Sequence, residues 1–228
     1  MINKMTILKT ISTIFDPIAD IYDRWYDEPE GNAIFREETE CLSLLRGDIS
    51  ERWLEIGVGT GRFAEALGIT HGIDISLPMT SKAVRRGVHV CIGRAEQLPY
   101  QKQVFDGVLI ALTLCFLENP AKVLQESSRV LRENGTLILG TVPADSPWGR
   151  AYIRKGEEGH PVYAHAHFLT IKETVHLFEK MGFELRRGCS ALFWAPDTPS
   201  SGVSRVEPGI ASEAGFVGLL FDAHHAGV

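Results

Sequence analysis

A short run between residues 53 and 67, WLEIGVGTGRFAEAL, constrains the fold more than any other part of the chain. An apolar, strand-like segment passes through Glu55, three glycines follow (Gly57, Gly59 and Gly61), and a helical pattern then resumes. Glycines at this spacing between a strand and a helix let a ligand approach bare backbone. The run therefore predicts a ligand site at the end of the first strand of an α/β fold.

Elsewhere in the chain, short apolar runs alternate with helical patterns. Several of these runs lack the polar alternation of a sheet that faces solvent, and such runs suit strands covered on both faces. An alternation of strands and helices predicts a three-layer α/β fold with a mainly parallel sheet. The strands are expected at about 53–56, 69–75, 88–92, 105–112, 136–142, 183–195 and 214–222.

Residues typical of helix ends mark the N-terminal helices. Asp16 and Pro17 predict the N-cap and the first residue of one helix. Gly31 predicts a break before a second helix, which is expected to end near Leu45.

Two later helices carry clearer start signals. Asn119 is expected to cap a helix that Gly135 ends. Thr170 and Glu173 have the spacing of a capping box at the start of the last helix.

Composition narrows the classes of partner. The net charge of −6 gives no electrostatic reason to expect a nucleic acid or an anionic membrane as partner. The four cysteines lie far apart without a C-x-x-C pair, and the N-terminal segment has no long apolar span or cleavage signal. We therefore expect a cytoplasmic protein. No metal site is expected, because His160, His165 and His167 lack a pattern such as H-E-x-x-H.

Charge and spacing around the glycines favour one type of ligand. Asp74 is expected where the second strand ends, and a carboxylate there can accept hydrogen bonds from both hydroxyls of a ribose. The dinucleotide fingerprint G-x-G-x-x-G would need a glycine where Arg62 stands. Glu55 would repel a pyrophosphate but attract a ligand with sulfonium and ammonium groups, such as S-adenosylmethionine. An NAD-dependent dehydrogenase is therefore the disfavoured alternative.

Four motifs in order carry a family resemblance. WLEIGVGTGRFAEAL, GIDIS, GRAEQLPY with FDGVL, and VLQESSRVLRENGTLIL together resemble the class I S-adenosylmethionine-dependent methyltransferases. They are most similar to the broad type 11 group, which includes the ubiquinone and menaquinone biosynthesis methyltransferases. The resemblance covers about residues 16 to 142 and implies a Rossmann-like fold. That fold has a seven-stranded, mainly parallel sheet with an antiparallel last strand.

The resemblance also implies which residues hold the cofactor. Glu55 and the glycine loop, with the backbone of Gly57 and Gly59 foremost and Gly61 beside them, would hold the methionine moiety. Asp74 would bind the ribose.

The third motif is expected to meet the adenine. The backbone N–H of Ala95 would reach a ring nitrogen, and Ile75 and Leu98 would flank the ring. Family members often have an acidic residue where this chain has Arg94, so that side-chain contact is left open.

The chain has 228 residues, 44% of them hydrophobic, and no linker-like run, which predicts one domain over residues 1–228. By the resemblance, its parts are an N-terminal helical lid (1–47), a cofactor-binding core (48–142), a substrate-side insertion (143–168), and a C-terminal helix with a strand hairpin (169–228). The insertion shows no long apolar periodicity, so we expect a loop there.

The methyl acceptor is expected between the lid and the insertion. For the aromatic residues of this set, packing in the core is an equally weighted alternative. Cys115 is expected to be a small, buried apolar residue and not a nucleophile. The candidates for a general base, should the acceptor need one, are His165 and Tyr22. The residues expected around the acceptor are Tyr22, Trp25, Tyr26, Cys115, Trp148, Tyr152, Tyr163 and His165.

We predict methyl transfer from S-adenosylmethionine to a small-molecule acceptor by in-line displacement. The alternative is a protein that binds the cofactor without transfer and acts as a regulator or partner subunit. The acceptor, the methylated atom and the oligomeric state stay open.

Overall fold

One mixed sheet organises the chain. The computed structural model describes residues 14–46, 52–198 and 204–224. In these residues the strand order is β3-β2-β1-β4-β5-β8-β6-β7. The strands are β1 (Trp53–Ile56), β2 (His71–Asp74), β3 (His89–Ile92), β4 (Phe105–Ala111), β5 (Leu131–Thr141), β6 (Phe183–Ala191), β7 (Glu207–Pro208) and β8 (Phe216–Ala223).

Strand directions confirm the predicted fold class. β1 pairs in parallel with β2 and β4, β2 with β3, and β4 with β5. β8 runs antiparallel to both of its neighbours, β5 and β6. The described part of the sheet has eight strands where seven were predicted, because the two-residue β7 pairs with the outer edge of β6. This is the doubly wound arrangement of a Rossmann-like methyltransferase with its antiparallel C-terminal strand.

Helices cover both faces of the sheet. One hydrophobic cluster contains Leu42 and Phe63, and a second contains Leu124 and Phe178, so the fold has three layers. None of the helices in the described residues is long and apolar enough to cross a membrane. The helices are α1 (Ala19–Trp25), α2 (Pro29–Arg46), α3 (Arg62–Ala66), α4 (Leu77–Arg85), α5 (Pro120–Val130), α6 (Pro147–Glu157) and α7 (Ile171–Lys180). Within the described ranges, 3-10 turns lie at Asp16–Ile18, Leu114–Phe116 and Tyr163–His165.

The start signals of α5 and α7 are confirmed, but the predicted end of α5 is wrong. Asn119 accepts a hydrogen bond from the N–H of Lys122 at 3.0 Å, and the capping box of α7 is complete. Helix α5 ends at Val130, and Gly135 lies within the bounds of β5 instead. The chain already extends at Leu131, which pairs with Phe105, so sheet pairing ends the helix before the glycine.

Two predictions for the N-terminal helices are also wrong. Asp16 begins the first 3-10 turn without capping it, and its carboxylate instead accepts a hydrogen bond from Ser76 Oγ at 2.6 Å. Gly31 lies in the first turn of α2 and does not break it. A Cβ at this position would overlap the backbone of Trp25, so the glycine lets α2 pack closely against the end of α1. The first 13 residues of the predicted lid lie outside the described residues.

The expected loop of the insertion contains helix α6. Ser146 caps it by accepting a hydrogen bond from the N–H of Gly149 at 2.9 Å, and Pro147 occupies its first position. Trp148 is 2% exposed and forms part of the core. One buried aromatic residue and a good cap therefore make a helix of a segment that lacks a long apolar stripe.

Candidate functional site

The glycine loop connects β1 to α3 at the carboxyl edge of the sheet. All three of its glycines have left-handed backbone, with φ of 74° at Gly57, 51° at Gly59 and 83° at Gly61. The N–H groups of Gly57 and Val58 both donate to the Ile73 carbonyl, at 2.8 and 3.1 Å. The loop is therefore held against the end of β2, where L side chains would be strained.

The three glycines meet different surroundings. A Cβ on Gly57 would overlap the side chain of Thr113, and a Cβ on Gly61 would lie 2.8 Å from Ala83 on α4. A Cβ on Gly59 would meet no atom closer than 4.0 Å. Gly57 and Gly59 line a cavity of about 530 Å³, whereas Gly61 lies outside its lining and allows helix packing.

Arg62, which occupies the third position of a dinucleotide fingerprint, joins α3 to the N-terminal segment. Its guanidinium donates to the carboxylates of Asp23 and Asp27, each at 2.9 Å. Arg86, the residue directly after α4, also contacts the Asp23 carboxylate at 3.1 Å. We call these four side chains the N-terminal ion-pair network. Arg62 thus anchors α1 beside the cavity, a role that a glycine at this position could not have.

Asp74 lies at the end of β2 and lines the cavity. Its two carboxylate oxygens accept hydrogen bonds from the N–H groups of Gly59 and Ser76, each at 2.9 Å. Burial raises the pKa of Asp74, although these backbone hydrogen bonds oppose the rise. Ile75, the next residue, also lines the cavity.

Glu55 reaches the same cavity from β1 and is 1% exposed. Its Oε2 has no hydrogen-bond partner among the described residues. Burial, followed by the negative charge of Asp74, raises the pKa of Glu55 well above its ordinary value. One buried and one half-buried carboxyl group thus face one space, and a cationic ligand would relieve the cost of ionising them.

Of the two residues of the third motif that were expected at the adenine, one lines the cavity and the other lies behind it. Ala95 lines the cavity, whereas Leu98 is buried outside its lining. The Leu98 N–H donates to Glu126 at 2.8 Å, and its carbonyl accepts from Arg129 at 3.0 Å. Leu98 therefore anchors the segment that carries Ala95.

Arg94 also lines the cavity, a position that the sequence left open. It forms ion pairs with Glu96 at 3.2 Å and with Glu118 at 2.8 Å, and both carboxylates belong to the cavity lining. The positive charge of Arg94 is therefore balanced within the protein.

The structure brings together six of the eight residues expected around the acceptor and leaves two outside. Trp148 is buried outside the cavity lining, and its indole N–H donates to the carbonyl of Trp194 at 2.7 Å. His165 is exposed in a 3-10 turn and does not line the cavity. The six residues in the lining are Tyr22, Trp25, Tyr26, Cys115, Tyr152 and Tyr163.

The chemistry of two of these residues can be read from their surroundings. Burial raises the pKa of the Cys115 thiol to about 12, which disfavours a nucleophilic thiolate. Burial is also the largest cause that raises the pKa of Tyr22, so this phenol is protonated at neutral pH.

No cluster of three or more potential metal ligands occurs in the described part of the chain.

Sequence reasoning missed Glu38, a buried carboxylate on α2 that lines the cavity. A signal was present, because Glu38 lies four residues after Ile34 and four before Leu42, on the buried stripe of the helix. A charged residue on such a stripe needs a partner or a function. Other residues of the cavity that the sequence did not single out include Phe15, Thr113, Val162 and Phe168.

Comparisons with known proteins agree with this geometry. The family model described as a methyltransferase domain, type 11, matches residues 54–139. An uncharacterized protein of Methanocaldococcus jannaschii is 39% identical over 180 residues, which cover 79% of this chain and 85% of that protein. An uncharacterized protein of Mycobacterium tuberculosis is 37% identical over 201 residues, which cover 88% of this chain and 70% of that protein.

A solved structure is similar over nearly the whole chain. It is a SAM-dependent methyltransferase of Thermotoga maritima, described as a possible histamine N-methyltransferase. The TM-score is 0.86 at 34% sequence identity, and the match covers 94% of this chain and 100% of that one.

Proposed function

Because the chain belongs to the type 11 group of class I S-adenosylmethionine-dependent methyltransferases, we propose that it transfers the cofactor's methyl group to a small-molecule acceptor. The family supplies the enzyme activity and the cofactor. That the acceptor is a small molecule is an inference from one feature of the structure. A cavity of about 530 Å³ runs from the glycine loop to a group of tyrosines. This volume lies within the range of about 300–1,000 Å³ that is typical of small-molecule sites.

Buried groups at the glycine loop fit the methionine and ribose parts of S-adenosylmethionine. The unpartnered Oε2 of Glu55 would face a cationic group of the cofactor, and the bare backbone of Gly57 and Gly59 would allow close approach. Asp74, at the end of the neighbouring strand, would accept hydrogen bonds from the ribose hydroxyls. When bound, the cofactor supplies an activated methyl group on a sulfonium centre.

The adenine would lie between Ile75 and the segment that carries Ala95. Leu98 would act indirectly in this arrangement, because its backbone groups are engaged by Glu126 and Arg129. We therefore assign Leu98 to the support of the adenine subsite, while Gly61 supports the loop through its packing on Ala83.

The charges of the cavity support a small acceptor without an anionic group. Among the residues that the structure describes, the lining contains two arginines, Arg62 and Arg94, and each is paired with two carboxylates. A nucleic acid would need unpaired positive charge along its path. The expectations of a cytoplasmic location, of no nucleic-acid or membrane partner and of no metal stay predictions.

The two predicted general bases receive no support from their surroundings. His165 lies outside the cavity, and Tyr22 is a protonated phenol with a raised pKa. An acceptor that is already nucleophilic at neutral pH, or a different base, would remove the need for either residue.

The proposal can be tested with methyl-labelled S-adenosylmethionine. The purified protein is incubated with separate pools of small metabolites, RNA, DNA and protein, and the label is followed into each pool. We expect label in the small-molecule pool, and less label from an Asp74→Ala variant assayed at a cofactor concentration below saturation, because its cofactor affinity should be reduced. Label confined to a macromolecular pool would refute the small-molecule acceptor. Cofactor binding without transfer to any pool would favour the regulator alternative.

A further inference from the structure

Glu38 is a buried carboxyl group that the cofactor subsite does not use. It is 3% exposed, lies on the buried stripe of α2 and lines the cavity. Its Oε2 has no hydrogen-bond partner among the described residues. An unpaired buried carboxylate is costly, so a side chain placed in this way requires a ligand or stays protonated.

The neighbouring Glu37 shows how a buried glutamate is satisfied when its role is structural. Its two oxygens accept hydrogen bonds from the N–H of Leu192 at 3.1 Å and from the indole of Trp194 at 3.3 Å. Glu37 does not belong to the cavity lining. The same helix therefore presents one glutamate to the protein interior and the next to the cavity.

Two pairs of tyrosines share the cavity with Glu38. The hydroxyls of Tyr22 and Tyr26 lie 2.9 Å apart, and the rings of Tyr152 and Tyr163 stack with centroids 4.4 Å apart. Burial is the main reason why the pKa of all four phenols is raised, and the negative charge of Glu38 adds to the rise in each. The carboxylate and the four rings therefore face a common space. Aromatic faces beside a carboxylate are suited to a cation.

We propose that Glu38 binds the amine nitrogen of the methyl acceptor and accepts a proton from it. The proposal rests on the function proposed above and deepens it, because it makes the acceptor a small primary or secondary amine. Glu38 lies on the acceptor side of the cavity, and Glu55 and Asp74 stay with the cofactor. The four phenol rings that line the cavity, those of Tyr22, Tyr26, Tyr152 and Tyr163, would surround the nitrogen.

The proton and electron balance is complete. The bound ammonium gives one proton to the Glu38 carboxylate, and this leaves a neutral amine with a free lone pair. The lone pair forms the new nitrogen–carbon bond to the methyl group while the sulfur–carbon bond breaks. Its electron pair stays on sulfur, so the positive charge moves from sulfur to nitrogen. The product is a methylated ammonium, and the proton on Glu38 returns to solvent.

The protonation state of Glu38 supplies a test that is independent of turnover. Burial, reinforced by the negative charge of Glu37, raises the pKa of Glu38 to about 8. The Glu38 carboxyl group is therefore mostly protonated at pH 7 before an amine binds. An ammonium that binds to it must displace this proton. Amine binding should release protons to the buffer, and its affinity should increase as the pH rises from 6 to 8.

Calorimetry on the protein saturated with S-adenosylhomocysteine tests the proposal. The probes are a panel of small primary amines, including 2-phenylethylamine, with the matching alcohol 2-phenylethanol. Titrations in two buffers of different ionisation enthalpy measure the protons released. We expect amines to bind at least tenfold more tightly than the alcohol, with proton release. Glu38→Gln should lower amine affinity at least tenfold and abolish the release, while its affinity for S-adenosylhomocysteine stays the same.

Glu37→Gln is the matched control, because it changes a buried glutamate outside the cavity. It should reduce thermal stability without weakening amine binding. Most of the proton release should remain, because burial, the larger cause of the raised pKa of Glu38, persists when the Glu37 charge is lost. Equal amine binding by wild type and Glu38→Gln would overturn the proposal, as would equal binding of amine and alcohol or no amine binding at all. If S-adenosylhomocysteine still binds and other small molecules are methylated, the proposed function survives that result. Methyl label confined to macromolecules would instead contradict both the amine acceptor and the proposed small-molecule function.

Discussion

The Asp74 carboxylate accepts a hydrogen bond from the backbone N–H of Gly59 at 2.9 Å and thereby joins the end of β2 to the glycine loop. The same carboxylate also accepts from the N–H of Ser76, and it lines the cavity. One side chain can therefore hold the loop in shape and present oxygen atoms to a ribose. The geometry couples the first two motifs, which lie on adjacent parallel strands.

Asp74→Ala should weaken cofactor binding. The loss of hydrogen bonds to the ribose and of the tie to Gly59 should cost about 1–3 kcal/mol, or around tenfold or more in affinity. Calorimetry with S-adenosylhomocysteine measures this directly. Asp106→Ala is the matched control, because Asp106 also accepts a backbone hydrogen bond, from Arg52, yet lies outside the cavity lining. Similar affinities for the two variants would mean that Asp74 does not contact the ligand.

Gly61→Ala should destabilise the fold more than Gly68→Ala. Both glycines have left-handed backbone, with φ of 83° and 65°, so each substitution should cost about 1–2 kcal/mol of unfolding free energy through strain. A Cβ at Gly61 would also lie 2.8 Å from Ala83, whereas one at Gly68 would meet nothing within 4 Å. Overpacking should add about 1–3 kcal/mol at Gly61. Urea unfolding of both variants measures the difference, and equal losses would show that α4 moves aside.

The N-terminal ion-pair network should hold α1 in place. Arg62→Met removes the hydrogen bonds that Arg62 donates to Asp23 and Asp27. Because the Arg62 side chain is mostly buried, their loss should lower the free energy of unfolding by about 1–3 kcal/mol. Hydrogen exchange of the α1 amides should become faster while exchange in the central strands stays slow. Arg85→Met, a change on the exposed surface of α4, is the control and should leave exchange in α1 unaltered.

The network should also respond to pH. Burial opposes ionisation of Asp23, but hydrogen bonds from Arg62 and Arg86 outweigh it and lower the pKa of Asp23 below its ordinary value. A carboxylate with a lowered folded pKa stabilises the fold above its unfolded pKa and loses that contribution as pH falls through the folded value. After correction for the intrinsic pH dependence of amide exchange, the free energy of opening of α1 should therefore be constant near neutral pH and fall only below about pH 4. Faster opening at pH 6 would point to another group.

Local signals explain what could be predicted from the sequence. The glycine loop, Glu55 and Asp74 lie within short segments, and the strand-helix alternation that surrounds them defines the edge where they meet. Caps such as Asn119 and Thr170 depend on residues three positions away, so their prediction needs no tertiary information.

The missed features depend on packing between distant segments. Helix α6 has a Ser-Pro start like the Asn-Pro start of α5, but its glycines interrupt any apolar stripe. Trp148 is buried partly by Trp194, which lies far away in the sequence. Gly135 resembles a helix stop, yet pairing of Leu131 with Phe105 ends the helix first. Glu38 becomes a site residue only when the tyrosines of two distant segments meet it across the cavity.

Glu38 should give the cofactor-free protein a characteristic dependence of stability on pH. Its pKa is about 8 in the folded protein and about 4.3 in an unfolded chain. Between these values the folded state binds more protons, so the free energy of unfolding should fall as the pH rises from about 4 to 8. The groups that face Glu38 are Glu37 and the phenols of Tyr22, Tyr26, Tyr152 and Tyr163; these phenols have raised pKa values and do not titrate in this range.

Glu38→Gln should remove this contribution to the slope, because an amide does not titrate. Urea unfolding at pH 5, 7 and 8.5 should place the variant near or below the wild type at pH 5 and above it at pH 8.5. The slope due to one full proton is about 1.4 kcal/mol per pH unit, so the crossing should be measurable. Glu55 contributes equally to both proteins and cancels in the comparison. Glu30→Gln, an exposed change on the same helix, should give a curve parallel to that of the wild type. If Glu38→Gln is parallel as well, Glu38 is already ionised in the empty protein, and the proton release expected on amine binding would not occur.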